Sequence, residues 1–208
     1  GSVRLAGRQV IGATDREGVG LRGAAVATIF QEPLTALDPL MRIGDQIAEV
    51  VRRRARRDGR SPSRADVFAE VTGLMARVAL PEPARLARAY PHEMSGGQRQ
   101  RAAIAMALAC RPRLLIADEP TTALDVTTQA EVLKLLETLV REENMGLLFI
   151  SHDLTVVGTA VDRVLVLRAG ELVEEGPVAE VFHRPRHPYT VGLVEAARAF
   201  DQAIGAAL

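Results

Sequence analysis

LLIADEPTTALD, residues 114–125, opens on three aliphatic residues in a row and closes on an acid. The apolar run reads as a buried strand, and Asp118 and Glu119 stand side by side where it stops. A carboxylate pair at the tip of a buried strand is placed to hold Mg²⁺ and to act on a water molecule. That chemistry calls for phosphates, and for an α/β sheet whose ligand site lies off the carboxyl ends of its strands.

The flanking sequence has the matching rhythm. AVATIF (25–30) is a short buried strand running into Gln31, and LLFIS (147–151) is another, leading to His152. The unbroken apolarity of LLFIS predicts burial on both faces, as in a parallel sheet. A helix is expected from Ser95 through Ala109 and an amphipathic one over 127–143. VLVLRAGELVEEG (164–176) reads as a hairpin turning at Ala169-Gly170, followed by two short helices near 177–182 and 190–200. Between the first strand and Ser95 the pattern is helical instead. Ile43, Ile47, Val50 and Val51 share one face until RRRARRDGRSPSR (52–64) breaks the period. Ser63 then caps a second helix with Val67, Phe68, Val71, Leu74, Met75 and Val78 as its inner stripe, ended by Pro81 and Pro83. The reading is an α/β parallel-sheet core with an inserted α-helical subdomain. Residues 1–37 form the N-terminal part of the core, 38–94 the insert, and 95–208 the remainder.

Composition narrows the class. The chain has 208 residues, 48% of them apolar, with 26 basic and 26 acidic side chains. Zero net charge gives no electrostatic footprint for nucleic acid. RRRARRDGR carries no interleaved aromatics and reads as a solvated helix end. The single cysteine, Cys110, excludes an internal disulfide framework and fits a reducing compartment. No apolar run is long enough to span a bilayer, and no signal peptide opens the chain. Gly1-Ser2 reads as a remnant of cloning. His92, His183 and His187 have no metal-ligand spacing with other donors.

Ser95-Gly96-Gly97-Gln98 places two bare glycines in the first turn of a helix, an anion site by exposed N–H groups and helix dipole. A lone SGG would be an ordinary capped helix. Here it accompanies Gln31, the Asp118-Glu119 pair, ALD (123–125) and His152, each at an element end.

Over residues 25–195 that ordered set resembles the ATPase subunit of an ATP-binding cassette (ABC) transporter, a P-loop NTPase with a RecA-like core. Gln31 matches the Q-loop, Met94-Ser95-Gly96-Gly97-Gln98 the signature motif (with Met for the usual Leu), and LLIADE the Walker B strand. Asp125 matches the end of the D-loop and His152 the switch histidine. RPRLLIADEPTTALDVT and RHPYT (186–190) are similar to the dipeptide, oligopeptide and nickel importer branch. The resemblance implies ATP and Mg²⁺, with Asp118 and Gln31 on the metal side. Glu119 would polarise the water, helped by His152 and Gln31. Ser95, Gly96, Gly97, Gln98 and Asp125 would meet nucleotide in a head-to-tail dimer with a second ATPase subunit. It further implies transmembrane permease subunits docked on the helical insert, and a peripheral place on the cytoplasmic face of a bacterial membrane.

One part of the pattern is missing. The phosphate loop, G-x-x-x-x-G-K-[ST], needs a lysine, and the chain's only one is Lys134, with no glycine before it in EVLKLLE. The expectation is a chain that begins after that loop, truncated at its N-terminus and inactive alone. GVGLRG (18–23) fits G-x-G-x-x-G, but it precedes a strand instead of following one, so its glycines read as turn residues. Two other classes stay open: a soluble ABC ATPase that moves no solute, and a fragment that only binds a partner.

Overall fold

The computed structural model describes residues 1–14, 18, 21–122 and 124–205, with side chains as far as residue 199. Val19 and Gly20 of GVGLRG, and Ala123 of ALD, lie outside the described residues. Backbone contacts divide the chain into two units, Gly1–Ile150 and Ser151–Leu208.

The first unit is built on a parallel sheet. Strand β3 (Val26–Ile29) pairs with β4 (Leu114–Asp118), and β4 with β5 (Gly146–Ile150), so β4 is central. Ile29, Leu115 and Ala117 are almost fully buried, as the apolar stretches require. β5 departs from expectation. Leu147 and Phe149 pack against the core, but Leu148 and Ile150 are each 44% exposed. Alternate residues of a strand point to opposite faces, and only one face of β5 meets this core. Ahead of the sheet, Arg4–Leu5 (β1) and Arg8–Gln9 (β2) form a small antiparallel hairpin that hydropathy did not reveal. Its turn rests on Ala6 (φ 49°) and Gly7 (φ 78°), the two left-handed residues that tight hairpins need.

Between β3 and β4 the chain is helical. After the short α1 (Pro33–Ala36) come α2 (Ile43–Arg57), α3 (Arg64–Arg77) and α4 (Pro83–Leu86). Ile43, Ile47 and Val51 of α2 are fully buried, and so are Met75 and, just past α3, Val78. Ser63 caps α3 as expected: its hydroxyl accepts the Asp66 N–H while Asp66 accepts the Ser63 N–H. Phe68 is the exception in the stripe, at 46% exposure.

The arginine run did not break α2. The helix continues through it to Arg57, and Arg54 is only 3% exposed. Its guanidinium donates to both Glu70 carboxylate oxygens, at 2.7 and 2.8 Å, and to the Ala109 carbonyl at 3.1 Å. Only the flanking arginines make a solvated end. A buried ion pair gives no hydropathy signal, since the sequence shows the charge but not its partner 16 residues away.

Helix α5 (Gly96–Ala109) lies against α2, α3 and β3. Its alanines at 102, 103, 105, 107 and 109 are all buried, and their small size allows close approach of neighbours on several sides. Helix α6 (Val126–Glu142) buries Val132, Leu136 and Leu139 against the same core.

The second unit comprises α7 (Leu154–Ala160), the hairpin β6 (Arg163–Arg168) and β7 (Glu171–Pro177), α8 (Val178–His183) and α9 (Pro188–Gly205). The hairpin turns at Ala169 (φ 51°) and Gly170 (φ 83°), as predicted. In RHPYT, the Glu174 carboxylate accepts the N–H groups of Arg186 and His187 at 2.9 and 3.0 Å, holding the entry to α9. Among the described residues no helix is long and apolar enough to cross a membrane.

Candidate functional site

Two groups of the expected residues come together in the first unit. The first lies at the carboxyl ends of β3 and β4. Gln31, two residues past β3, donates from Nε2 to Glu119 Oε2 at 2.9 Å. Asp118 is the last residue of β4, half-buried and registered against Ile150, and the Glu119 N–H donates to the Ile150 carbonyl at 2.9 Å. Glu119 therefore leaves the sheet immediately, and it does so with φ 44°, the left-handed region. A non-glycine residue there, directly before Pro120, is strained, and such strain concentrates where a side chain must be aimed. The Thr122 N–H closes the turn on the Glu119 carbonyl at 3.3 Å, and the Thr122 hydroxyl donates to Glu119 Oε2 at 2.9 Å. Sequence reasoning missed Thr122. Its only trace there was a hydroxyl three residues after an acid.

The second group is made of two helix N-termini. Ser95 caps α5 by accepting the Gln98 N–H, and Gln98 Oε1 accepts the Ser95 N–H at 3.1 Å. Both side chains are thus engaged in a reciprocal cap, and the expected nucleotide contact of Gln98 competes with that role. Asp125 caps α6, accepting the Thr128 N–H at 3.0 Å and the Thr128 hydroxyl at 2.7 Å. These two donors, the backbone N–H foremost, hold the Asp125 carboxyl below the ordinary carboxylate range. The helices meet at the two glycines of α5: a β-carbon on Gly97 would stand 2.7 Å from the Thr128 methyl, and one on Gly96 would stand 3.8 Å from Leu124. Gly97 is therefore needed for packing inside this chain, whatever binds above it. Thr128 also went unread, though D-x-x-T is a capping spacing.

His152 belongs to the second unit, exposed, in the bend before α7. Asp153 caps that helix through the Thr155 and Val156 N–H groups. Lys134 sits exposed in the middle of α6 and is no phosphate-loop lysine. Among the described residues no three His, Cys, Asp or Glu side chains gather as a metal cage. A site of Mg²⁺ type needs fewer, because one or two carboxylates suffice when phosphates and water complete the shell. Asp118, at the end of β4 and next to the Glu119 that Gln31 binds, fits that demand.

Known proteins are similar to this chain over most of its length. Residues 1–122 match the family described as ABC transporter, and residues 173–207 match the oligopeptide/dipeptide transporter C-terminal region. The oligopeptide transport ATP-binding protein OppD of Salmonella typhimurium is 46% identical over 201 residues, covering 97% of this chain and 58% of that protein. The glutathione import ATP-binding protein GsiA of Escherichia coli K12 is 50% identical over 176 residues, 85% of this chain and 27% of that protein. The chain thus spans little more than half the length of the first of these relatives and about a quarter of the second. Among solved structures, the ATP-binding cassette MJ0796, as a dimer in a post-hydrolysis state bound to ADP and Pi, superposes with a TM-score of 0.75. It is 28% identical, over 85% of this chain and 73% of that one. The parallel sheet is therefore that of an ABC ATPase cassette, and by the match over residues 1–122 the chain belongs to the ABC transporter family.

Proposed function

We propose that these residues form part of the ATP-hydrolysing subunit of an importer for peptides or a related small solute. The observation that carries the reading is the 2.9 Å hydrogen bond between Gln31 and Glu119. It joins the ends of two core strands at the one place where an α/β sheet of this topology meets its ligand. The C-terminal match and the names of the relatives support the importer over a soluble ATPase that moves no solute.

In this reading Glu119 is the base that takes a proton from the attacking water, and Asp118 with Gln31 holds Mg²⁺, which when bound offsets charge on the phosphates. Gln31 reports the state of that site to the helices of 38–94, which form a subdomain facing a permease. The first-turn N–H groups of α5, with Ser95, Gly96, Gly97 and Gln98, face the nucleotide of a second subunit in a head-to-tail dimer. Asp125 lies where the two sites communicate, and His152 orients the γ-phosphate and the water. The residues 1–37 and 95–208 are the core, and the protein sits on the inner face of the bacterial cell membrane, with no nucleic-acid partner.

The test is Glu119→Gln in the full-length gene product assembled with its partners. The amide keeps the shape but cannot accept a proton, so ATP should still bind and the dimer should close while turnover is lost. A variant that neither binds ATP nor dimerises assigns Glu119 to structure instead.

A further inference from the structure

The Glu119 carboxylate takes two donors on the same oxygen. Gln31 Nε2 and Thr122 Oγ1 each reach Oε2 at 2.9 Å, from different parts of the chain. Gln31 lies 88 residues upstream on the loop after β3, whereas Thr122 lies in the turn that Glu119 itself begins. The two neighbouring threonines have divided their duties. Thr121 is 6% exposed and packs inward, while Thr122 is exposed and its hydroxyl goes to Glu119.

A glutamate side chain has three rotatable bonds, and a base must be held in one arrangement to act on a particular water. Backbone strain at Glu119, at φ 44°, aims the side chain but does not fix its rotamers. The hydrogen bonds do. They are not equivalent in a working site. Gln31 sits in the short link between β3 and α1, and in the reading above its amide oxygen also serves Mg²⁺, so that side chain has a second duty besides its bond to Glu119. Thr122 is bound to Glu119 by the turn of residues 119–122 and moves with it.

We propose that Thr122 is a positioning residue for hydrolysis: its hydroxyl holds Oε2 of Glu119 and, with Gln31, keeps the base in one orientation. This rests on Glu119 being the base. Thr122 does not itself touch the reacting atoms.

The experiment uses the full-length gene product assembled with its partners, with Thr122→Val, Thr122→Ser and Glu119→Gln compared at saturating ATP. Valine preserves the shape and removes the donor, and since Thr122 is exposed the fold should survive. A hydrogen bond to a charged group carries enough energy for a loss in kcat of about ten- to a hundredfold. The KM for ATP should hardly move. Thr122→Ser should restore the rate. If Glu119→Gln is inactive while Thr122→Val has the kcat of the unmodified protein, or changes only KM, the positioning role is overturned alone. If Glu119→Gln turns over normally, the assignment of the base falls, and this inference with it.

Discussion

Gly97 and Thr128 touch across the first turns of two helices: a β-carbon at 97 would lie 2.7 Å from the threonine methyl. The same threonine gives its N–H and hydroxyl to Asp125. One side chain thus fixes the spacing between the signature helix and the helix that Asp125 caps.

Gly97→Ala should therefore destabilise the fold by roughly 1–3 kcal/mol, the usual cost of overpacking. Thr128→Ser removes the offending methyl and keeps the hydroxyl, so Gly97→Ala/Thr128→Ser should recover most of the loss. Urea unfolding of the four proteins measures it. An alanine variant as stable as the parent shows that the helices part easily.

The buried Arg54 predicts an asymmetry. Glu70→Ala leaves the guanidinium without its main partner, and removing one member of a buried pair costs about 3 kcal/mol. The Glu70 side chain is 29% exposed and Arg111 reaches it at 3.6 Å, so solvent and that second arginine soften the cost. Arg54→Met/Glu70→Leu should be the more stable of the two variants. Arg54 Nε is buried without a hydrogen bond, its contact to Asp58 being 4.0 Å, and the double variant abolishes that defect as well. Thermal denaturation decides the order.

Asp125 gives a pH dependence of known sign. Its carboxyl is depressed in the folded chain by the Thr128 N–H and hydroxyl, so it contributes stability above the ordinary carboxylate pKa and loses it as pH falls through the folded value. Asp125→Asn should be less stable than the parent at pH 7. The gap should begin to narrow below about pH 4, where the unfolded chain's carboxyl takes up its proton, and close as pH falls through the lower folded value. A gap that stays constant with pH would mean that the cap works by shape alone.

These 208 residues by themselves should not hydrolyse ATP, because they hold no phosphate loop and their only lysine lies exposed in mid-helix. Contaminant-free protein should show no turnover above its own Glu119→Gln variant. A clear excess would mean that the strand-end residues suffice.

Ser95 should serve a partner's nucleotide. In the full-length protein, Ser95→Arg should abolish hydrolysis with little effect on monomer folding. Mixing it with subunits defective only in the phosphate loop should restore one intact composite site. Single-turnover measurement on a linked dimer reads that recovery; its absence counts against the assignment in trans.

Much of this protein was legible in its chain because the signals were local. LLIA and AVATIF announced strands by apolar runs, Ser63 and Ser95 announced helices by capping chemistry, and Ala169-Gly170 announced a turn by its need for positive φ. The expected polar residues could be named from order and spacing. What a side chain does with its neighbours is not local. Arg54 looked solvated until Glu70 was folded beside it, and LLFIS looked doubly buried until one face of β5 was left open. Gln98 also caps its own helix, a bond to Ser95 that its place in the motif did not announce. Gly97 and Thr128, 31 positions apart, became a contact only when two helix ends met. Periodicity and turn chemistry act over a few residues, so the sequence alone determined most of the elements, though not the β1–β2 hairpin or the reach of α2 to Arg57. Burial, charge pairing and the aim of Glu119 depend on distances closed by folding, and only the tertiary structure decided them.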